Sequence, residues 1–115
     1  MSLFIYHNPR CSKSRETLAL LQDKGLEPEV IKYLDTPPSA DQLKTLLTQL
    51  GMASARQLMR TKEEVYKTLG LADVTDEEAL LEAMVANPKL IERPIVVCNG
   101  KAALGRPPEQ VLDIL

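Results

Sequence analysis

Two hydrophobic periods alternate along this chain. Leu3, Phe4, Ile5 and Tyr6 form a short unbroken apolar run, the pattern of a buried strand. Behind it Thr17, Leu18 and Leu21 recur at helical spacing, and Lys24-Gly25 reads as the helix stop. Glu29 to Leu34 is rich in β-formers and predicts a second strand. A strand, helix and strand in this order fit a right-handed crossover joining a parallel pair. Thr36-Pro37-Pro38 then breaks the pattern.

The middle of the chain is purely helical in period. Ser39 with Gln42 forms a capping box ahead of Leu43, Leu46, Leu47 and Leu50, with Gly51 as the stop. Thr61 with Glu64 predicts a second box ahead of Val65 and Leu69. Thr75 with Glu78 predicts a third, ahead of Leu80, Leu81 and Met84. A weaker helical turn lies around Ala53 to Leu58. Period two returns at the end: Ile95 to Cys98 and Lys101 to Leu104 flank Asn99-Gly100, a strong hairpin signal. Gly105-Arg106-Pro107-Pro108 leads into a last helix with Val111, Leu112 and Leu115 facing inward. The expected class is α/β: a thioredoxin-like fold with a four-stranded mixed sheet and an all-helical insertion between strands two and three.

Composition narrows this picture only slightly. With 115 residues, 44% of them hydrophobic and 26% charged, the chain predicts one domain over residues 1–115. Its core takes up about 1–35 and 89–115, and its insert about 36–88. Trp is absent and Phe4 is the only Phe, so aliphatic side chains and Met must build the core. A formal net charge of −2 gives no reason to expect nucleic-acid or membrane binding. No signal-peptide pattern is present, and two cysteines without an export signal point to reduced thiols in the cytoplasm. One His and two distant Cys do not make a zinc site, so no metal is expected.

Candidate chemistry centres on Cys11, in the segment from Tyr6 to Arg15. This segment joins the first strand to the first helix and places the thiol at the helix N-terminus. Unpaired N–H groups and the positive end of the helix dipole favour the thiolate there, and the same groups cradle oxyanions. Arg10, Lys13 and Arg15 act in the same direction. Cys98 falls in the apolar run of the hairpin and reads as a small buried hydrophobe. Ser12 and Ser14 read chiefly as helix caps that can also donate to the thiolate.

Four segments in order resemble the ArsC-type arsenate reductases, the class coupled to glutaredoxin: His7 to Arg15, Met59 to Glu63, Glu92 to Val96, and Gly105 to Pro108. The resemblance spans essentially the whole chain. It implies that Cys11 is the nucleophile toward arsenate and that Arg60, Arg93 and Arg106 bind the oxyanion. It further implies that Pro94 is the cis-proline beside the active cysteine, and that His7, with Ser14, tunes that cysteine. For His7 a purely structural role is the equal alternative. No bound cofactor is implied; glutathione is the cosubstrate and glutaredoxin the protein partner. Ser12-Lys13 stand where Gly-Thr is common in the best-known members. Two other readings share these features: an Spx-like redox regulator of transcription, and a glutathione-dependent thiol oxidoreductase with a different substrate. Spx-type proteins carry Cys-x-x-Cys, and the fourth position of that motif is Ser14 here. A monomer or weakly associating protein is expected.

Overall fold

The computed structural model describes residues 2–115, which fall into two compact units. The first comprises the chain up to Thr36 together with Arg93–Leu115, and the second is Pro37–Glu92.

In the first unit, strand β1 (Leu3–Tyr6), helix α1 (Ser12–Asp23) and strand β2 (Glu29–Ile31) form the crossover, and β1 pairs with β2 in parallel. Strands β3 (Ile95–Cys98) and β4 (Lys101–Leu104) make the hairpin. β1 also pairs with β3, antiparallel, so the sheet is mixed with order β2-β1-β3-β4. Asn99 (φ 50°) and Gly100 (φ 83°) supply the two left-handed residues that a tight two-residue turn requires. Ile5, Leu21, Val96 and Val111 are fully buried and form the core that joins the sheet, α1 and the C-terminal segment.

The register decides where function can sit. Tyr6 faces Ile31 and Ile95, and Ile95 faces Leu104. The ends of β1, β2 and β4 and the start of β3 therefore share one rim of the sheet. The loop to Cys11, the segment after β2, Arg93-Pro94 and Gly105-Arg106 all leave from that rim.

The second unit holds α2 (Ala40–Leu50), α3 (Glu64–Thr68) and α4 (Glu77–Ala86), with 3₁₀ turns at Ala55–Leu58, Leu71–Asp73 and Pro88–Leu90. The Ser39 box forms as the sequence predicts: Ser39 Oγ accepts from Gln42 N–H, and Gln42 Oε1 accepts from Ser39 N–H. Leu43 and Leu46 are buried on the inner face. Replacing Ser39 by Ala should lower stability by about 1 kcal/mol, read as a drop in the urea midpoint. An unchanged midpoint would mean that α2 does not rely on this cap.

Several local expectations are corrected. Thr61 makes no box; α3 starts after Glu63 with no side-chain cap. Met59 bridges Ile91 and Arg60 N–H donates to the Leu90 carbonyl, so the chain is held extended to Arg60 and turns only after it. Tyr66, not Leu69, faces inward, and Leu69 is 48% exposed. Asp76 rather than Thr75 caps α4, one residue later, through Glu78 N–H. β2 ends at Ile31 because Lys32 turns the chain, its carbonyl accepting from Asp35 and Thr36. The last helix is a 3₁₀ segment, Pro108–Ile114, with Val111 buried but Leu115 exposed.

Candidate active site

The site begins with the turn Asn8-Pro9-Arg10. Cys11 N–H donates to the Asn8 carbonyl at 3.0 Å, and Arg10 N–H donates to Asn8 Oδ1 at 3.0 Å. Asn followed by Pro is a turn signal, and the Asn side chain closes the turn on its own backbone. Arg15 clamps the turn from α1, its Nη1 donating to the Pro9 carbonyl at 3.0 Å. Cys11 thereby becomes the N-cap of α1, half-buried and extended, with the helix N–H groups directly behind it.

The serines do not cap. No side chain caps α1. The buried Ser14 hydroxyl lies 2.8 Å from His7 Nδ1 and accepts from Asn8 N–H at 2.9 Å. It is the Ser14 backbone N–H that reaches the sulfur. His7 is itself buried, and its N–H donates to the Ile31 carbonyl at 2.8 Å. Burial, then Lys32 and Arg15, hold its pKa below the ordinary value, so the ring is neutral at neutral pH. The structure thus places His7 one residue removed from the thiol, through Ser14.

Opposing effects act on the Cys11 thiol. Burial disfavours the thiolate. Against it stand the Ser14 N–H, the Arg93 guanidinium, which both hydrogen-bonds the sulfur and attracts it as a charge, and the Lys13 N–H. The favourable interactions win, and the pKa lies below its ordinary value.

Arg93 and Arg106 flank the open end of the hairpin, one before β3 and one after β4. Arg106 Nη1 donates to the Arg93 carbonyl at 3.0 Å, so one arginine braces the backbone of the other. Arg93 Nε is buried and makes no hydrogen bond among the described residues. The Arg93–Pro94 peptide is cis, as the resemblance implies, and so is Arg106–Pro107, where the sequence raised no such expectation.

Sequence reasoning gave no role to Gly105. Its N–H donates to the Pro94 carbonyl at 3.0 Å, and the residue is buried against α1. A Cβ there would overlap Thr17 Oγ1 outright and come within 2.7 Å of Pro94 Cγ. Only glycine lets the end of β4 lie this close to both. A glycine directly before the arginine of a candidate site was the available signal.

The first unit therefore brings together Cys11, His7, Ser14, Arg93 and Arg106. Arg60 belongs to the second unit. There its Nε meets Glu63 Oε1 and its Nη1 meets Glu92 Oε1, both at 3.2 Å.

Comparison with known proteins agrees over nearly the whole chain. The ArsC family model matches residues 6–114. An uncharacterized protein, YfgD, of Escherichia coli strain K12 is 68% identical over 112 residues, covering 96% of this chain and 94% of that protein. An arsenate reductase of Neisseria meningitidis is 54% identical, covering 96% of each chain. The solved structure of an arsenate reductase from Vibrio cholerae superposes with a TM-score of 0.97 at 63% identity, covering 100% of this chain and 98% of the other. With a thioredoxin-like fold, a helical insertion and this extent of similarity, the chain belongs to the ArsC family.

Proposed function

We propose that the protein reduces arsenate to arsenite, with Cys11 as the nucleophile. The observation that carries this reading is Cys11 at the N-cap of α1, where two helix N–H groups and Arg93 lower the pKa of its thiol. Arsenate is a tetrahedral oxyanion. Guanidinium groups match its oxygens in pairs and stay charged at any working pH. Arg93 Nε is a buried donor with no partner among the described residues, and an arsenate oxygen supplies one.

The Cys11 thiolate attacks arsenic and an oxygen leaves as water, giving a sulfur–arsenic adduct. The overall change consumes arsenate and two thiols and yields arsenite, one disulfide and water. Two electrons enter arsenic as two sulfurs couple. The second thiol must come from outside, because Cys98 is only 1% exposed on β3. Glutathione fills this role in our reading, and glutaredoxin then reduces the mixed disulfide. Both partners follow from the ArsC resemblance, and the two free thiols fit the reducing cytoplasm that supplies them. A role for Arg60 as a third oxyanion ligand follows from the same resemblance. No described helix is long and apolar enough to cross a membrane.

Arsenate-dependent NADPH consumption, coupled through glutathione reductase, glutathione and glutaredoxin, tests the reading. Cys11→Ser should abolish turnover to background while the fold is kept. A wild-type protein without turnover, or a serine variant that retains it, would overturn the proposal.

A further inference from the structure

The rim that carries Cys11 also carries a concave feature. A recess of about 320 Å³ is lined by His7, Pro9 and Arg10 of the Cys11 loop and by Lys32, Leu34 and Asp35 beyond β2. Neither Arg93 nor Arg106 is among its walls. The loop makes the connection to the thiol: Arg10 directly precedes Cys11, and the back wall His7 joins Ser14, whose N–H meets the sulfur.

The chemistry of the recess is that of an anion site with an apolar floor. Arg10 and Lys32 are exposed, and neither makes a salt bridge among the described residues. Asp35 is the single acidic residue of the lining and pairs with neither of them. Lys32 and Arg15 both push the buried His7 away from its charged form, so the back wall lies in a positive field. Leu34, 36% exposed, gives the recess an apolar wall beside its two cations. A carboxylate on a short aliphatic stem fits all of these.

We propose that this recess binds a carboxylate of the external thiol, with Arg10 and Lys32 as its cationic partners, so that the thiol's sulfur is delivered to Cys11. The inference rests on the reading above that a peptide thiol such as glutathione resolves the Cys11 adduct. It assigns that cosubstrate its own subsite, separate from the arginines that face the oxyanion.

The test uses the full chain and no arsenate. Cys11 thiolate attacks one sulfur of glutathione disulfide, forming a protein–glutathione disulfide and releasing one glutathione thiolate. The rate is followed by mass spectrometry for wild type and for the double variant Arg10→Gln/Lys32→Gln. Both residues are exposed, and thermal melts verify that the variant is folded. The variant should react at least about tenfold more slowly with glutathione disulfide, the size expected for removing charge-assisted bonds to a carboxylate. Its reaction with the neutral 2-hydroxyethyl disulfide should stay within about twofold of wild type, because Ser14 N–H, Arg93 and Lys13 N–H lower the Cys11 pKa, and Arg10 and Lys32 are not among the groups that do. So should that with the compact dianion dithiodiglycolate, whose carboxylates sit one carbon from the sulfur. Equal slowing with both anionic disulfides would mean a diffuse charge effect and would overturn the subsite. No slowing with glutathione disulfide would overturn it as well. Arsenate turnover does not enter this assay, so failure of the subsite and failure of the arsenate reading remain distinguishable.

Discussion

Replacing Arg93 by alanine should raise the midpoint of the Cys11 alkylation profile by roughly one to two pH units. The substitution removes a charge-assisted hydrogen bond to a thiolate, worth about 1.5–3 kcal/mol, and each pKa unit corresponds to about 1.4 kcal/mol. The sign follows from which form is stabilised. Arg93 favours the thiolate, so its presence lowers the pKa and keeps the sulfur reactive at lower pH; its removal leaves burial less opposed. The variant should therefore lose most of its iodoacetamide reactivity near neutral pH and recover it in alkali. Arsenate turnover should fall by about 10²–10³, because in the proposed reaction the same guanidinium faces the charge that develops on the substrate. Lysine at this position should restore part of the pKa shift but little of the turnover, since a point charge does not reproduce the guanidinium fork. An alkylation midpoint that does not move in the alanine variant would show that the helix N–H groups alone activate the thiol.

The second large effect should come from a single methyl group. Gly105→Ala drives a Cβ into Thr17 Oγ1 and against Pro94 Cγ. Thr17 is fully buried, and its hydroxyl donates to the Lys13 carbonyl at 2.7 Å, so it has little room to yield. Overpacking of this kind costs about 1–3 kcal/mol, read as a lower urea midpoint. The effect on turnover should exceed the effect on folding. Thr17 lies on the helix that Cys11 caps, Pro94 follows Arg93, and Arg106 follows Gly105, so relief of the clash moves at least one reacting group. A misplacement of about 1 Å can cost 10²-fold in rate. The double variant Gly105→Ala/Thr17→Ala removes the main obstacle and should be more stable than the sum of the two single changes predicts. Strict additivity would mean that the close packing of Gly105 on α1 is not the cause.

Much of this architecture could be read from local signals. The β1–α1–β2 crossover, the Asn99-Gly100 hairpin and the Ser39 box each depend on a few neighbouring residues, and all three formed as expected. The misreadings fall where a distant interaction overrides a local preference. Thr61 has the spacing of a capping box, but the bridge from Met59 to Ile91 and the pairing of Arg60 with Glu63 fix the backbone differently. Ser14 has the composition of a cap, but its hydroxyl is already engaged by His7 and Asn8. At the candidate site, the motifs singled out Cys11, Arg93 and Arg106, which the first unit brings together. Gly105 was invisible as a participant because its role is an absence of atoms, which shows only when α1 and Pro94 are placed against it. The partners of Arg60 were hidden for a related reason: Glu92 lies 32 positions away in the chain, and no periodicity links the two.

The common rim also has a consequence for the opposite one. The Asn99-Gly100 turn and the start of β1 lie there, tied by a bond from Ser2 N–H to Asn99 Oδ1 and one from Asn99 N–H to the Ser2 carbonyl, both 2.9 Å. Within the first unit, that end of the sheet carries none of the residues that shape the thiol. It is the natural place to graft an affinity handle or a fluorophore, or to tether the protein to a sensor surface. A sheet that gathers its chemistry at one end leaves the other free as a mounting point.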